Sequence, residues 1–224
     1  KRTRLPAQWF WRYIQWFHRP AKRVLVATES ISDELRAHGL TRLHRWSRGV
    51  DLSCFTPDAP PPPEFAELPK PIQLYVGRVA VEKNIEAFLA GSYPGTRVVV
   101  GDGPALASLK ARYPDAHFLG RRTGRELAGC YAAADVFVFP SWTDTFGLVI
   151  LEAMAAGTPV LTSNVSSLPE IAGEAALLVD PKSTDEIVAG IERLLLSPSL
   201  REDLIQKGHR QARRFDWEQS AKQT

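Results

Sequence analysis

Sulfur is scarce in this chain, which has two cysteines, Cys54 and Cys130, and one methionine, Met154, among 224 residues. No Cys-x-x-Cys occurs and the five histidines are scattered. Neither a disulfide framework nor a structural zinc is expected, and a reducing cytoplasm is the expected setting. Long apolar runs are also missing: none reaches the roughly 18 residues that span a bilayer, and no signal peptide is visible. With 44% hydrophobic and 24% charged residues, the composition excludes disordered, collagenous and coiled-coil classes. A chain that starts at Lys1 with its sole methionine at 154 reads as a fragment or a processed product.

What is present is unevenly spread. The net charge is +3, yet residues 1–50 hold 11 basic against 3 acidic side chains and residues 51–224 hold 17 against 22. A basic head therefore precedes an acidic body. The head also places Trp9, Phe10, Trp11, Tyr13, Trp16 and Phe17 within nine positions. Two readings stay open for it. One is a helix buried against another part of its domain. The other is a membrane-interface helix, with Arg12, Arg19, Lys22 and Arg23 facing anionic lipid through residues 1–23. A nucleic-acid surface would spread its basic and aromatic residues over a larger face, so nucleic acid is not an expected partner.

Short strands are expected at Val24–Ala27 and Leu43–Trp46, around a helix over Asp33–His38 that stops at Gly39. Four consecutive prolines at 60–63 then suggest an extended spacer. The expected organisation is a remnant of a first domain over 1–56, a linker over 57–69, a main domain over 70–215 and the start of a C-terminal helix over 216–224. Within the main domain, strand-forming runs recur at Ile72–Val76, Arg97–Val100, Ala116–Leu119, Val136–Phe139, Pro159–Thr162 and Ala176–Val179, with helical stretches between them. Thr123 with Glu126 and Ser183 with Glu186 fit capping boxes. Such alternation implies an α/β fold with a Rossmann-like, doubly wound parallel sheet, whose ligands bind outside the carboxyl ends of the strands.

Four strand ends in succession carry glycine and charge. Gly77-Arg78-Val79-Ala80-Val81-Glu82-Lys83 offers a sharp turn and two cations able to clamp a diphosphate. Gly101-Asp102-Gly103-Pro104 reads either as a tight turn with proline at the first helical position or as a close approach of backbone to ligand. Gly120-Arg121-Arg122 follows the third strand. After the fourth, Asp144-Thr145-Phe146-Gly147 precedes an apolar helix, so the amides of Phe146, Gly147 and Leu148 are expected to point at an anion. Glu152 lies inside that helix, where a carboxylate is costly unless paired or bound. Eight helical residues would separate Asp144 from Glu152 by about 12 Å. That is longer than the roughly 5–9.5 Å of glycoside-hydrolysing pairs and suits the two ends of a nucleotide-sugar.

These motifs resemble glycosyltransferase family 4, retaining and metal-independent enzymes of GT-B fold. WSRGVDLSCFTP resembles the family's hinge and YVGRVAVEKN its diphosphate-binding turn. GDGP is similar to its glycine loop, and ADVFVFPSWTDTFGLVILEAMAAGTPV to its most specific motif, two acids bracketing seven residues. The resemblance covers the end of an N-terminal domain, the hinge and nearly all of the C-terminal, donor-binding domain. It implies that Arg78 and Lys83 hold the donor diphosphate and that Glu152 accepts from the ribose hydroxyls. Asp144, with the backbone around Phe146 and Gly147, would address the donor sugar and its phosphate, and the turn at Leu119–Arg121 would meet the base. No metal or other cofactor is implied, and no Asp-x-Asp motif occurs. Asp144 stands where the family more often has glutamate, in a TDTFG context that resembles branches using GDP-mannose or a UDP-sugar. TSNVSSLPEIAGEAALLVDP resembles a different branch. The implied function is hexosyl transfer to a lipid or glycan acceptor, peripheral to the inner face of a membrane. The rival reading is a non-catalytic nucleotide-sugar-binding module. Glu186, expected far from the site, serves as the contrasting position.

Overall fold

The computed structural model describes residues 6–222, so the basic residues among 1–5 lie outside the described residues. In chain order the elements are α1 (Ala7–His18), β1 (Val24–Val26), α2 (Glu29–Ala37), β2 (Leu43–Arg45), β3 (Ile72–Val76), α3 (Ile85–Ala90), β4 (Thr96–Val100), α4 (Leu106–Arg112) and β5 (His117–Gly120). There follow α5 (Gly124–Ala133), β6 (Val136–Phe139), α6 (Leu148–Ala155), β7 (Val160–Ser163), α7 (Leu168–Ala172), β8 (Ala176–Val179), α8 (Thr184–Leu196), α9 (Pro198–Ala212) and α10 (Trp217–Lys222).

Strands β3 to β8 form one parallel sheet in the order β5-β4-β3-β6-β7-β8. Every residue of β3, β6 and β7 is buried, as expected of parallel strands covered on both faces, whereas the edge strands β5 and β8 are partly open. α3 packs with α8, and α5 with α6, which also meets α7 and α9. The chain winds outward from β3 in one direction through β4 and β5, and from β6 in the other through β7 and β8. The crevice between β3 and β6 is thus the topological switch point, where open α/β sheets bind ligands. The expected fold class and all six strand positions hold, with ends shifted by one residue or less.

Several local expectations change. The proline segment is not a free spacer: Pro62 and Phe65 are buried, and a side chain at Gly129 of α5 would lie 2.1 Å from the Pro60 carbonyl oxygen. Val50 and Phe55, expected in the first domain, are part of the main core, with Phe55 edge-on to Tyr131. Val50 also bridges to Asp216 next to α10. Pro104 lies before the first turn of α4, which starts at Leu106. Thr123 makes no side-chain cap, while the Ser183 hydroxyl accepts from the Glu186 amide as expected. Glu186 does not reach back to Ser183; its carboxylate accepts from the Asp180 amide.

The smaller unit pairs β1 and β2 in parallel beside α2, which starts two residues after Ala27 and four before Asp33. Helix α1 contains no buried residue. Its Trp11 ring stacks on His38, and its Gln15 amide donates to the His38 carbonyl, tying it to the end of α2.

Candidate functional site

The turns after β3, β4 and β5 are joined by main-chain bonds. Gly77 N–H donates to Val100 O at 3.0 Å, Gly101 N–H to Gly120 O at 2.8 Å, and Val79 N–H to Asp102 O at 2.8 Å. This stacking accounts for Gly101. Its φ is +140°, and a β-carbon there would sit 1.9 Å from Gly77 O. A β-carbon at Gly103 would likewise strike Val79 O, at 2.3 Å. The glycine loop therefore serves close approach of one turn to another. The three turns enclose a cleft of about 350 Å³ lined by Gly77, Arg78, Gly101, Asp102, Arg121 and Arg122. Arg78 is exposed, with Glu82 at 3.5 Å. Arg121 is exposed, Leu119 half-buried, and Arg122 is engaged by Glu64 at 2.8 Å.

Lys83 goes elsewhere. A single 3-10 turn over Val81–Lys83 ends at Asn84, which takes a left-handed conformation and donates its amide to Pro181 O at 2.7 Å. Lys83 Nζ then reaches Asp144 Oδ2 at 2.8 Å and Thr143 O at 3.0 Å, 5.5 Å from the centre of the Phe139 ring. Both side chains of this pair are largely covered, 16% and 18% exposed. Lys83 and Asp144, 61 positions apart, are thus brought together at the switch point, while Arg78 stands apart on the neighbouring cleft.

Asp144 is held from three sides. Its Oδ1 accepts from the Phe146 amide at 2.9 Å, and its carbonyl accepts from the Ser166 and Ser167 hydroxyls at 2.6 and 2.9 Å. This corrects the expectation that the Phe146 amide awaits an anion, since the Asp144 carboxylate already occupies it. The amides of Thr145, Gly147 and Leu148 have no acceptor among the described residues. Gly147, at φ +86°, is the N-cap of α6, so the helix starts four residues after Asp144 and the 12 Å helical spacing does not apply. Phe146 is buried against Phe215, and the Arg48 guanidinium of the hinge segment sits 5.9 Å from its ring centre.

Glu152, in the second turn of α6, accepts a hydrogen bond on Oε2 from the Tyr131 hydroxyl at 2.9 Å. Burial pushes its carboxyl above the usual carboxylate range, an effect the Tyr131 bond partly offsets. Tyr131 is fully buried, and its own hydroxyl is held well above the ordinary phenol value by desolvation and by the Glu152 charge.

Sequence reasoning did not find Ser166, Ser167, Tyr131 or Arg48. Ser166 lies at φ +60°, a conformation uncommon for serine, but nothing in the local pattern ties it to Asp144. Glu170 was also missed. Its carboxylate accepts from the Glu29 and Ser30 amides at the N-terminus of α2 and pairs with Arg45, joining the two units. Glu186 lies at the start of α8 beside the loop that meets Asn84 and Trp142, so it is at the carboxyl edge and not far from it.

A six-stranded parallel sheet with charge gathered at its switch point defines a doubly wound ligand-binding domain of the GT-B class. The family model for glycosyl transferases group 1 matches residues 70–197, and the chain belongs to that family. It is 32% identical over 225 residues to the sulfoquinovosyl transferase of Arabidopsis thaliana, an alignment covering 92% of this chain and 44% of the relative. A GDP-mannose-dependent alpha-mannosyltransferase of Mycobacterium tuberculosis is 40% identical over 156 residues, 67% of this chain and 41% of that protein. The chain therefore spans less than half the length of these relatives. Among solved structures, sucrose-phosphate synthase from Thermosynechococcus elongatus superposes with a TM-score of 0.79 at 30% identity, over 89% of this chain and 56% of that one. Anabaena HepE, solved with UDP and glucose, reaches 0.83 at 19% identity over 97% and 66%, a likeness of fold.

Proposed function

We propose that this chain is the donor-binding lobe of a retaining, metal-independent glycosyltransferase that moves a hexose from a nucleoside-diphosphate sugar to a lipid or glycan acceptor. The observation that carries the reading is the Lys83–Asp144 pair, set at the β3/β6 switch point beside the start of α6. In this reading the donor diphosphate lies between Arg78, Lys83 and the free amides of Gly147 and Leu148, where cations and a helix N-terminus together favour negative charge. The diphosphate replaces Asp144 as the partner of Lys83. Asp144 is then released to accept from a hydroxyl of the donor sugar, with its backbone still fixed by Ser166 and Ser167. As the bond between the anomeric carbon and the phosphate oxygen breaks, the charge arising on the nucleoside diphosphate is met by Arg78, Lys83 and the helix end, with no metal required. The base rests against Leu119 and Arg121, with the turns at Gly77, Gly101 and Gly103 as floor and Thr145 beside the sugar. Glu152 takes the ribose hydroxyls.

GDP-mannose is the favoured donor in this reading, supported by the mannosyltransferase relatives, with a UDP-sugar as the second choice. The acceptor side supports a lipid. Trp9, Phe10, Tyr13, Trp16 and Phe17 of α1 are all more than half exposed, with Arg12 and Arg19 on the same helix and the turn after it. That composition suits peripheral attachment to anionic lipid on the cytoplasmic face. No helix among the described residues is long and apolar enough to cross a membrane.

The test is calorimetric titration with GDP-, UDP- and ADP-sugars, with and without EDTA. One donor should bind in the micromolar range, unaffected by chelation. Absence of binding to all three would end the reading, and loss of binding in EDTA would end its metal-independent part. Binding with no transfer, even after a complete N-terminal domain is supplied, would favour a non-catalytic binding module.

A further inference from the structure

Tyr131 has no part in the mechanism above, yet it is the one side chain among the described residues that touches the Glu152 carboxylate. The contact is built from both sides. On α5, the Tyr131 ring is fully buried, edge-on to Phe55 at 5.9 Å and to Phe137 at 5.4 Å. The Tyr131 carbonyl accepts from the Thr158 hydroxyl at 2.7 Å, which ties this turn of α5 to the segment leaving α6. The ring therefore has one position and its hydroxyl one direction. On α6, Glu152 is flanked by Leu151 and Ala153, both fully buried, and keeps only part of its surface in solvent. A glutamate has three side-chain torsions, and fixing one oxygen removes most of that freedom. With Oε2 bound to Tyr131, Oε1 has no hydrogen-bond partner among the described residues.

We infer that Tyr131 is a positioning residue for donor recognition: by holding Glu152 Oε2, it presents Oε1 to the ribose diol of the nucleotide. The inference rests on the role given to Glu152 in the proposed function. It also explains why a tyrosine hydroxyl is buried at this position, where phenylalanine would fill the same space. A phenol is a donor that binds an ionised carboxylate without bringing a second charge into the core, unlike lysine or arginine. The hydroxyl thus holds one oxygen of Glu152 while bringing no charge of its own into the core. Burial raises the thiol of Cys54, from the segment before the prolines, and the Glu152 charge adds to that shift.

The test uses the full chain and its tightest-binding nucleoside diphosphate from a GDP, UDP and ADP panel, together with the 2′,3′-dideoxy form of that nucleotide. Tyr131→Phe keeps the ring packing, and a thermal melt within a few degrees of the native chain verifies this. It should weaken the ribonucleotide roughly tenfold, the value of one charge-assisted hydrogen bond, and the dideoxy form by less than about twofold. Carbon-13 NMR of the Glu152 carboxyl should show it titrating at higher pH in Tyr131→Phe, because the ionised form has lost its donor. Equal weakening of both nucleotides, or no weakening of either, overturns the positioning role. Glu152→Gln separates the two levels. If it weakens the ribonucleotide and Tyr131→Phe does not, the inference fails and the ribose role of Glu152 stands. If Glu152→Gln has no effect, the role assigned to Glu152 fails and the inference fails with it.

Discussion

Replacing Asp144 by asparagine separates two consequences of the Lys83 pair. The ammonium and carboxylate lie 2.8 Å apart with both side chains mostly covered. Two unit charges at this range attract by several kcal/mol in an effective dielectric of about 20. Most of that is offset by desolvation. The net value is that of a charge-assisted hydrogen bond, about 1.5–3 kcal/mol. A diphosphate entering the site must break this pair, so the pair opposes binding of a nucleoside diphosphate that carries no sugar. Asparagine keeps an oxygen for the Phe146 amide and offers Lys83 only a neutral partner. About half the opposing energy is removed, roughly 1 kcal/mol or about a fivefold change in affinity. Asp144→Asn should therefore bind the bare nucleoside diphosphate about fivefold more tightly while losing transfer of the sugar. Calorimetry on the native chain and the variant measures the first, and release of nucleoside diphosphate in the presence of acceptor measures the second. Unchanged or weaker binding of the bare diphosphate would refute the partner exchange.

Other consequences can be measured independently. Gly101→Ala should destabilise the chain by at least about 2 kcal/mol in urea, because its β-carbon would strike the Gly77 carbonyl, whereas Gly120→Ala, which opens onto free space, should cost only the backbone strain of about 1 kcal/mol. Glu170→Ala should speed hydrogen exchange at the Glu29 and Ser30 amides by roughly tenfold, since it removes a carboxylate from the start of α2 and the Arg45 pair; unchanged exchange would mean the two units are held elsewhere. Glu152 carries a pH signature. Its folded carboxyl titrates above its unfolded value, so the folded state holds that proton more tightly, and the contribution of Glu152 to stability falls as pH rises through that window and stays lower at neutral pH. The stability gained on Glu152→Gln should accordingly be larger at pH 7 than at pH 4.

The sheet was legible because β3, β6 and β7 are covered on both faces and so appear as short, mainly apolar runs, interrupted by Gln73 in β3 and by Thr162 and Ser163 at the end of β7. The glycines and charges read at four strand ends do lie in the turns at the ends of β3, β4, β5 and β6. What stayed hidden is non-local. The hydroxyls of Ser166 and Ser167 reach the Asp144 carbonyl across 22 and 23 positions, and Tyr131 reaches Glu152 across 21. Neither link leaves a period or a spacing to detect. Four prolines predicted a stiff spacer from local conformation alone, but stiffness does not tell what the segment lies on. Here it is Gly129, whose missing side chain leaves room for Pro60. The α6 N-terminus was expected to offer three amides to a ligand, and Asp144 claims one of them because its side chain folds back two residues. Two cations in one turn also give no sign of their separate partners: the 3-10 turn ending at Asn84 sends Lys83 to Asp144 and leaves Arg78 with Glu82.

The donor site is tested most directly by calorimetric affinity for the best nucleotide-sugar in three variants measured side by side. Lys83→Ala and Glu152→Ala should each weaken binding at least tenfold. Glu202→Ala, on α9 where its carboxylate accepts from Gln206, should leave it unchanged. If all three variants bind alike, or if the native chain binds no nucleotide-sugar, the crevice between β3 and β6 is not the donor site.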